Sequence, residues 1–258
     1  VETHEQRGGR RVGVLPGERV EVTITRSRPR MANAEVASVL APSPGRTDPP
    51  CPELHAGCGG CDLQHATPAL QRDLKAGIVT DALARIGRLR DVPVHPGEHL
   101  PSEGYRTVLR CGVLDGRAAL HRRRSDRLHP LGGCLVAHPA VEEIVRDGRF
   151  PGAEEVTIRV GARTGERMVV VAGQVRDLQV PDDVVVVRGE DDAAIHEVIA
   201  RRRFRISARS FFQARPDGAE ALVRAVDRAV GGFDPATDRL ADLYGGVGLF
   251  AGALGARD

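Results

Sequence analysis

Lysine is almost missing from this chain: of 37 Lys+Arg residues only Lys75 is lysine. Cysteine is scarce too, with five in 258 residues. No stretch approaches the roughly 18 apolar residues of a membrane-crossing helix. The first residues, VETHEQRGGRR, carry no apolar signal core. These absences point to the cytoplasm and to no membrane partner. Cysteines stay reduced there, and clusters of them more often bind metal than form disulfides. An odd number of cysteines also speaks against a simple disulfide framework. No internal repeat is present, and the net formal charge is only +2, so bulk charge does not announce a nucleic-acid binder. With 41% hydrophobic and 28% charged residues, the composition is that of an ordinary soluble globular chain. Its length suits one large domain or two to three small ones. The chain begins without methionine and stops just after a glycine-rich turn, so both ends are expected to be incomplete.

What is abundant is arginine, whose planar fork suits phosphate and stacked bases better than lysine does. It clusters at Arg10 and Arg11 and within residues 26–30, 121–124 and 201–209. Each cluster alone reads as a solvated face; several in one chain raise the case for a polyanion partner.

Residues 12–15 and 19–25 read as short strands around a Pro16-Gly17 turn, and residues 33–40 resume the alternation after an arginine-rich turn. Short strands with basic turns suit a small OB-like β-barrel, a scaffold used for oligonucleotides. Residues 41–50, APSPGRTDPP, read as a linker. Thr67-Pro68 looks like an N-cap and first-turn proline, and Leu70, Leu74, Ile78, Leu83 and Ile86 follow at helical spacing up to Gly87. A hairpin is expected around Asp115-Gly116, a short helix over 140–146, a second hairpin from 156–160 and 167–172, and a buried strand at 184–187. Asp217 and Glu220 have capping-box spacing ahead of an apolar stripe that Gly231-Gly232 closes. Residues 240–244 read as a strand entering a glycine turn, with the tail beyond it weakly held.

CPELHAGCGGCDLQH, residues 51–65, holds three of the five cysteines. In Cys58-Gly-Gly-Cys61 the glycines let the backbone turn so that two thiolates face one metal and amides reach the sulfurs. Cys51 is near enough to be a third ligand. A fourth comes from Cys134, Cys111, His55 or His65, and four thiolates match either structural zinc or a [4Fe–4S] cluster. Cys111, in a strand-like run, reads as an apolar filler, and His65 and His55 as hydrogen-bonded side chains rather than ligands.

DRLADLYGGVGLFA, residues 238–251, combines a strand, a glycine turn and the start of a helix. Small residues there let a nucleoside approach the backbone. Gly246-x-Gly248-x-x-Ala251 fits a dinucleotide fingerprint only loosely. Asp242 and Tyr244 before the glycines look more like the first S-adenosylmethionine motif of class I methyltransferases. Upstream, Ser210-Phe-Phe-Gln213 precedes the capped helix; taken alone it reads as core phenylalanines and a surface glutamine.

In chain order, LPGERVEV, C…CGGCDLQH, the distal GGC, SFFQ and DLYGGVGLF resemble the TRAM-domain, iron–sulfur RNA uracil-5-methyltransferases. The resemblance spans nearly the whole chain. It implies an α+β multidomain protein: a TRAM-like barrel over 1–42, a central mixed α/β domain with the cluster segment over 43–200, and the start of a Rossmann-like methyltransferase domain over 201–258. It implies Cys51, Cys58, Cys61 and Cys134 as [4Fe–4S] ligands in preference to zinc, Gln213 and Tyr244 in contact with S-adenosylmethionine, and the Gly246–Gly248 backbone beside it. Leu249 stands where relatives often carry a polar contact. Nothing matches the family's nucleophilic cysteine or general base, so no catalytic residue is assigned and the chain by itself is expected to be inactive. The activity implied is methylation of uridine C5 in ribosomal RNA, ahead of transfer RNA, by a monomer. Two other readings stand beside it: a metal-stabilised RNA-binding module without catalysis, and a nicotinamide-dependent oxidoreductase built on the glycine turn.

Overall fold

A computed structural model of the chain describes residues 13–29, 31–234 and 236–255. Arg10, Arg11, Val12 and Arg30 of the sequence reading lie outside those residues. The chain divides into two compact units, one of residues 1–97 with 121–129, the other of 98–120 with 130–258.

Unit one begins with an antiparallel ribbon, β1 (Arg19–Arg28) and β2 (Met31–Ala41), whose register slips at three places. Pro16-Gly17 forms the expected turn, but residues 13–15 are not a strand. Among the described residues the segment is a two-stranded sheet and not a closed barrel. Its side chains show why: Ile24 is 62% exposed and nearly all of β1 faces solvent, so the ribbon encloses no core. Residues 41–50 are not a loose linker either. Arg46 forms a bridge with Ala66, and its guanidinium donates to Glu18 Oε2 and to Gly13 O, each at 2.6 Å. Next come α1 (Pro52–Ala56), closed by Gly57 in the left-handed conformation, and α2 (Pro68–Arg85). Thr67 caps α2 by accepting from Leu70 N–H, with Pro68 in the first turn as expected. No residue of α2 is buried.

The main sheet is mixed, in the order β5-β4-β3-β6-β7-β8, and nearly all of it except β5 belongs to unit two. The strands are β3 (Val108–Leu114), β4 (Arg117–His121), β5 (Leu128–Pro130), β6 (Ala153–Val160), β7 (Arg167–Gly173) and β8 (Val184–Arg188). Asp115 and Gly116, both at positive φ, turn β3 into β4. β8 runs parallel to β7; the other registered pairs are antiparallel. Helix α3 (Pro139–Asp147) buries Val141, Ile144 and Val145 and packs on β6. A second hairpin, β9 (Ala194–Ile199) and β10 (Arg202–Ser207), lies outside the sheet. With helices α4 (Pro216–Val230) and α5 (Leu249–Leu254) it shares a core of Met168, Val187, Ile195, Phe204, Phe212 and Leu249 among others.

Three sequence expectations fail here. Residues 240–244 form no strand: a parallel strand needs a neighbour, and Leu243 and Tyr244 are 86% and 97% exposed. Asp217 and Glu220 do not make a capping box. Arg215 holds the N-cap position, and Glu220 turns away to accept from Ala200 N–H and the Arg163 guanidinium. Nor is the tail weakly held: Val247, Phe250, Ala253 and Leu254 pack against the shared core.

Candidate functional site

The segment between β10 and α4 places Gln213. Ser210 N–H donates to Ser207 O at 3.1 Å, and the two hydroxyls are hydrogen-bonded to each other. Phe211 then points outward, 78% exposed, while Phe212 is buried against Phe204 with ring centroids 5.9 Å apart. Beyond Gln213, Ala214 O accepts from Thr107 N–H at 2.8 Å. The Arg215 guanidinium lies 4.2 Å from the centre of the Tyr105 ring and also binds Pro101 O and Asp217. Gln213, half-buried, is therefore held between an aromatic anchor and an arginine clamp.

The glycine turn rests on the same core. Leu249 inserts its side chain there at 7% exposure, which explains an apolar residue at that position. Gly246 and Gly248 have φ of 55° and 82°, conformations that favour glycine. Gly252 abuts Phe204 so closely that a Cβ would stand 2.8 Å from the ring. Thus Phe204 touches both the Gln213 segment, through Phe212, and the helix that follows the glycines. Three of the four residues expected beside the cofactor, Gln213, Gly246 and Gly248, sit on segments anchored to one core. Tyr244 is not drawn in: its ring is 97% exposed.

The cysteine segment belongs to unit one, and Cys134 to unit two. Cys51 and Cys58 are buried, and Gly60 N–H donates to Cys58 Sγ at 3.4 Å, the amide-to-sulfur contact expected of the glycine pair. The Cys58 thiol is pushed up by burial, drawn down by the Gly60 amide, and raised again by its neighbours Cys61 and Cys51 and by Glu53. Two buried cysteines, one with a backbone N–H on its sulfur, are the donor chemistry that a thiolate-held centre uses. Among the described residues, however, no group of three or more His, Cys, Asp or Glu side chains stands in metal-holding geometry.

The alternative ligands lie elsewhere. His55 is exposed and bonds Pro49 O at 2.8 Å. His65 is buried against Gly13, and burial followed by the charge of Arg46 pushes its pKa down. Cys111 is packed in the sheet at 1% exposure.

Sequence reasoning missed the ion pair between buried Glu18 and Arg46, and the hydrogen bond between His129 and Glu53 at 2.6 Å. Neither pair has a spacing signal, because the partners are 28 and 76 positions apart. It also missed the β9–β10 hairpin, whose turn lacks glycine.

No protein-family model matches the chain. It is 35% identical over 274 residues to an uncharacterized RNA methyltransferase of Streptomyces coelicolor, covering 94% of this chain and 59% of that protein. It is 30% identical over 279 residues to the 23S rRNA (uracil(1939)-C(5))-methyltransferase of Thiobacillus denitrificans, covering 92% of this chain and 63% of that protein. The fold is similar to that of the Pyrococcus abyssi tRNA (uracil-54, C5)-methyltransferase, solved in complex with S-adenosyl-L-homocysteine. The TM-score is 0.60 at 21% identity, covering 92% of this chain and 63% of that one, a likeness of fold alone. The chain spans about three-fifths of the length of the curated relatives it matches. Over nearly all its own length it is similar to RNA methyltransferases.

Proposed function

We propose that this chain serves the S-adenosylmethionine-dependent methylation of uridine C5 in structured RNA, ribosomal RNA ahead of transfer RNA. The observation that carries this reading is the construction of Gln213 and the Gly246–Gly248 turn on one core, in a chain similar over nearly all its length to RNA methyltransferases. The fit to S-adenosylmethionine is chemical: the amide of Gln213 can serve both the amine and the carboxylate of a methionine moiety. Glycines at positive φ leave the backbone open to a nucleoside. Tyr244 serves as an aromatic face, reached by a movement of its exposed ring. When bound, the cofactor supplies an electrophilic methyl group.

The chain's own residues bind and orient. Uracil C5 is a weak nucleophile, so the reaction calls for a thiolate adding to C6 and a base taking the C5 proton. None of the five cysteines is assigned that thiolate role: Cys111 is sealed in the sheet, and the other four are kept for metal. The target uridine leaves its stack to react, so a grip on RNA away from the reacting base is part of the design. Cys51, Cys58 and Cys61, with Cys134, are proposed to hold a [4Fe–4S] cluster, with zinc as the alternative, and its work is structural. The division into an RNA-gripping 1–42, a cysteine-bearing 43–200 and a cofactor-binding 201–258 belongs to the same proposal, as does a cytoplasmic monomer.

Calorimetric titration with S-adenosylmethionine tests the cofactor site. Binding is expected, with a loss of about tenfold or more in Gln213→Ala, the size of one hydrogen bond to a charged group. No binding by the wild type would leave the RNA-binding module without catalysis as the better reading. Anaerobic absorbance with iron and sulfide analysis decides the metal: a brown protein carrying both is expected, and a colourless one with a single zinc would replace the cluster.

A further inference from the structure

The β4–β5 connection, residues 121–127, reads HRRRSDR, and its four arginines are all exposed. The loop is tightly closed: Arg122 N–H donates to Arg127 O at 2.8 Å, and Ser125 N–H to Arg122 O at 3.1 Å. Arg124 turns at φ 54°, a conformation that L side chains rarely adopt. Something outside the loop must over-determine that shape.

From outside, the cysteine segment holds the loop at residues 121–123. Gly59 N–H donates to His121 O at 2.9 Å, and Cys58 and Arg122 form an antiparallel bridge. The Arg122 guanidinium donates to Ala56 O at 3.2 Å, and Arg123 pairs with Asp62 at 3.2 Å. His129, just past the loop, binds Glu53. The approach leaves no room for a side chain at Gly59, where the neighbours are backbone. A Cβ on Gly59 would stand 2.7 Å from Arg123 N and His121 O, and one on Gly57 would stand 2.5 Å from the Arg122 guanidinium. Gly59 thus does a second task besides turning the chain.

Two cavities border the loop, and Arg122, Arg123 and Arg124 line both. One has a volume of about 650 Å³. The other, about 990 Å³, is floored by Leu63, Leu70, Leu74 and Ile78, with Asp73 and Asp81 on its α2 side. An apolar floor with a guanidinium rim matches a nucleotide: the forks take phosphate oxygens, the floor takes a base face, and the aspartates accept from base N–H groups. The Arg122 fork has five donors and spends one on Ala56 O. The Asp62 partner of Arg123 is 80% exposed, so that pair yields to a phosphate at little cost.

We propose that residues 121–127 are a phosphate-gripping loop for RNA, laid across a base-sized groove, and that the cysteine segment is its mould. This rests on the RNA reading above and adds to it where the chain holds its substrate. It also gives the cysteine segment a part in RNA binding distinct from stability, since metal at Cys58 and Cys61 would stiffen the Gly59 contact from both sides.

The test is binding of a fluorescein-labelled RNA stem–loop with uridines in its loop to the holoprotein, by anisotropy, over roughly 50 to 200 mM salt. Arg122→Ala and Arg123→Ala are each expected to lower the slope of log affinity against log salt by about 0.7–0.9, the value of one phosphate contact. Arg122→Lys should restore the slope while affinity stays below wild type, because an ammonium cannot bind as a fork. Gly59→Ala should reproduce the arginine variants with both arginines still present. Slopes equal to wild type in both alanine variants would overturn the proposal, and so would a wild-type Gly59→Ala. S-adenosylmethionine titration on the same proteins separates the two readings. Unchanged cofactor binding with an unchanged salt slope removes only the loop; absent cofactor binding with the expected slopes removes only the methyltransferase.

Discussion

Glu18 shows how one side chain ties distant segments together. Burial alone would raise its carboxyl, but the Arg46 fork and the backbone N–H groups of Leu15 and Ser43 outweigh that and hold the pKa down to about 2. A carboxyl depressed in the folded state stabilises the fold above its unfolded value, and that stability goes as pH falls through the folded one. The shift corresponds to at most about 3 kcal/mol, lost between roughly pH 5 and pH 2. Urea unfolding across that window should show this loss in the wild type, and Glu18→Gln should lack that component. The two phenylalanines of SFFQ separate just as plainly. Phe212→Ala is expected to cost about 3 kcal/mol or more, because a buried ring leaves a cavity, whereas Phe211→Ala should stay within about 0.5 kcal/mol. Urea midpoints at neutral pH check both. Composition alone could not tell the two rings apart; alternation about the turn after Ser207 decides which one is inside.

At the scale of elements, what was legible followed from local signals. The D-G turn, the Thr-Pro cap and the double glycine after α4 all stand where their chemistry put them, because each is decided by neighbours in sequence. The β9–β10 hairpin went unread because Ala200 and Arg201 turn the chain at φ of 48° and 63° without glycine or asparagine. Glu220 supports that turn from α4 by accepting from Ala200 N–H at 3.1 Å. Ala200→Asn keeps the N–H and suits the left-handed conformation, so it should stabilise the chain by up to about 1 kcal/mol, read as a higher urea midpoint. Helix α4 carries a similar lesson. The stripe Leu222, Val223, Val226 and Val230 looked like its core face, yet Leu222 and Val230 are exposed and the buried residues are Pro216, Ala219 and Val223. Helical spacing predicts that a face exists, but which face is buried depends on the hairpin against which it packs.

Two compact units in one chain predict two unfolding steps. If metal takes Cys134 of unit two as well as Cys51, Cys58 and Cys61 of unit one, stripping it should lower both calorimetric transitions, the first more because it loses three of the four ligands. A second transition left within error would show that Cys134 is no ligand and that the metal braces unit one alone. Calorimetry suits the question because the chain has no tryptophan to report on either unit.

The sequence by itself determined the motif order, every helix but α1 and most hairpins, the arginine-rich character and the cysteine turn, since each depends on residue type and short spacing. Tertiary structure decided which apolar residues are inside and that residues 41–50 are fastened by Arg46. It also decided that Gln213 and the glycine turn share a core, and that the arginine loop is moulded on the cysteine segment. Those outcomes join residues tens of positions apart, where close packing and the pairing of buried charge select partners that no local pattern encodes.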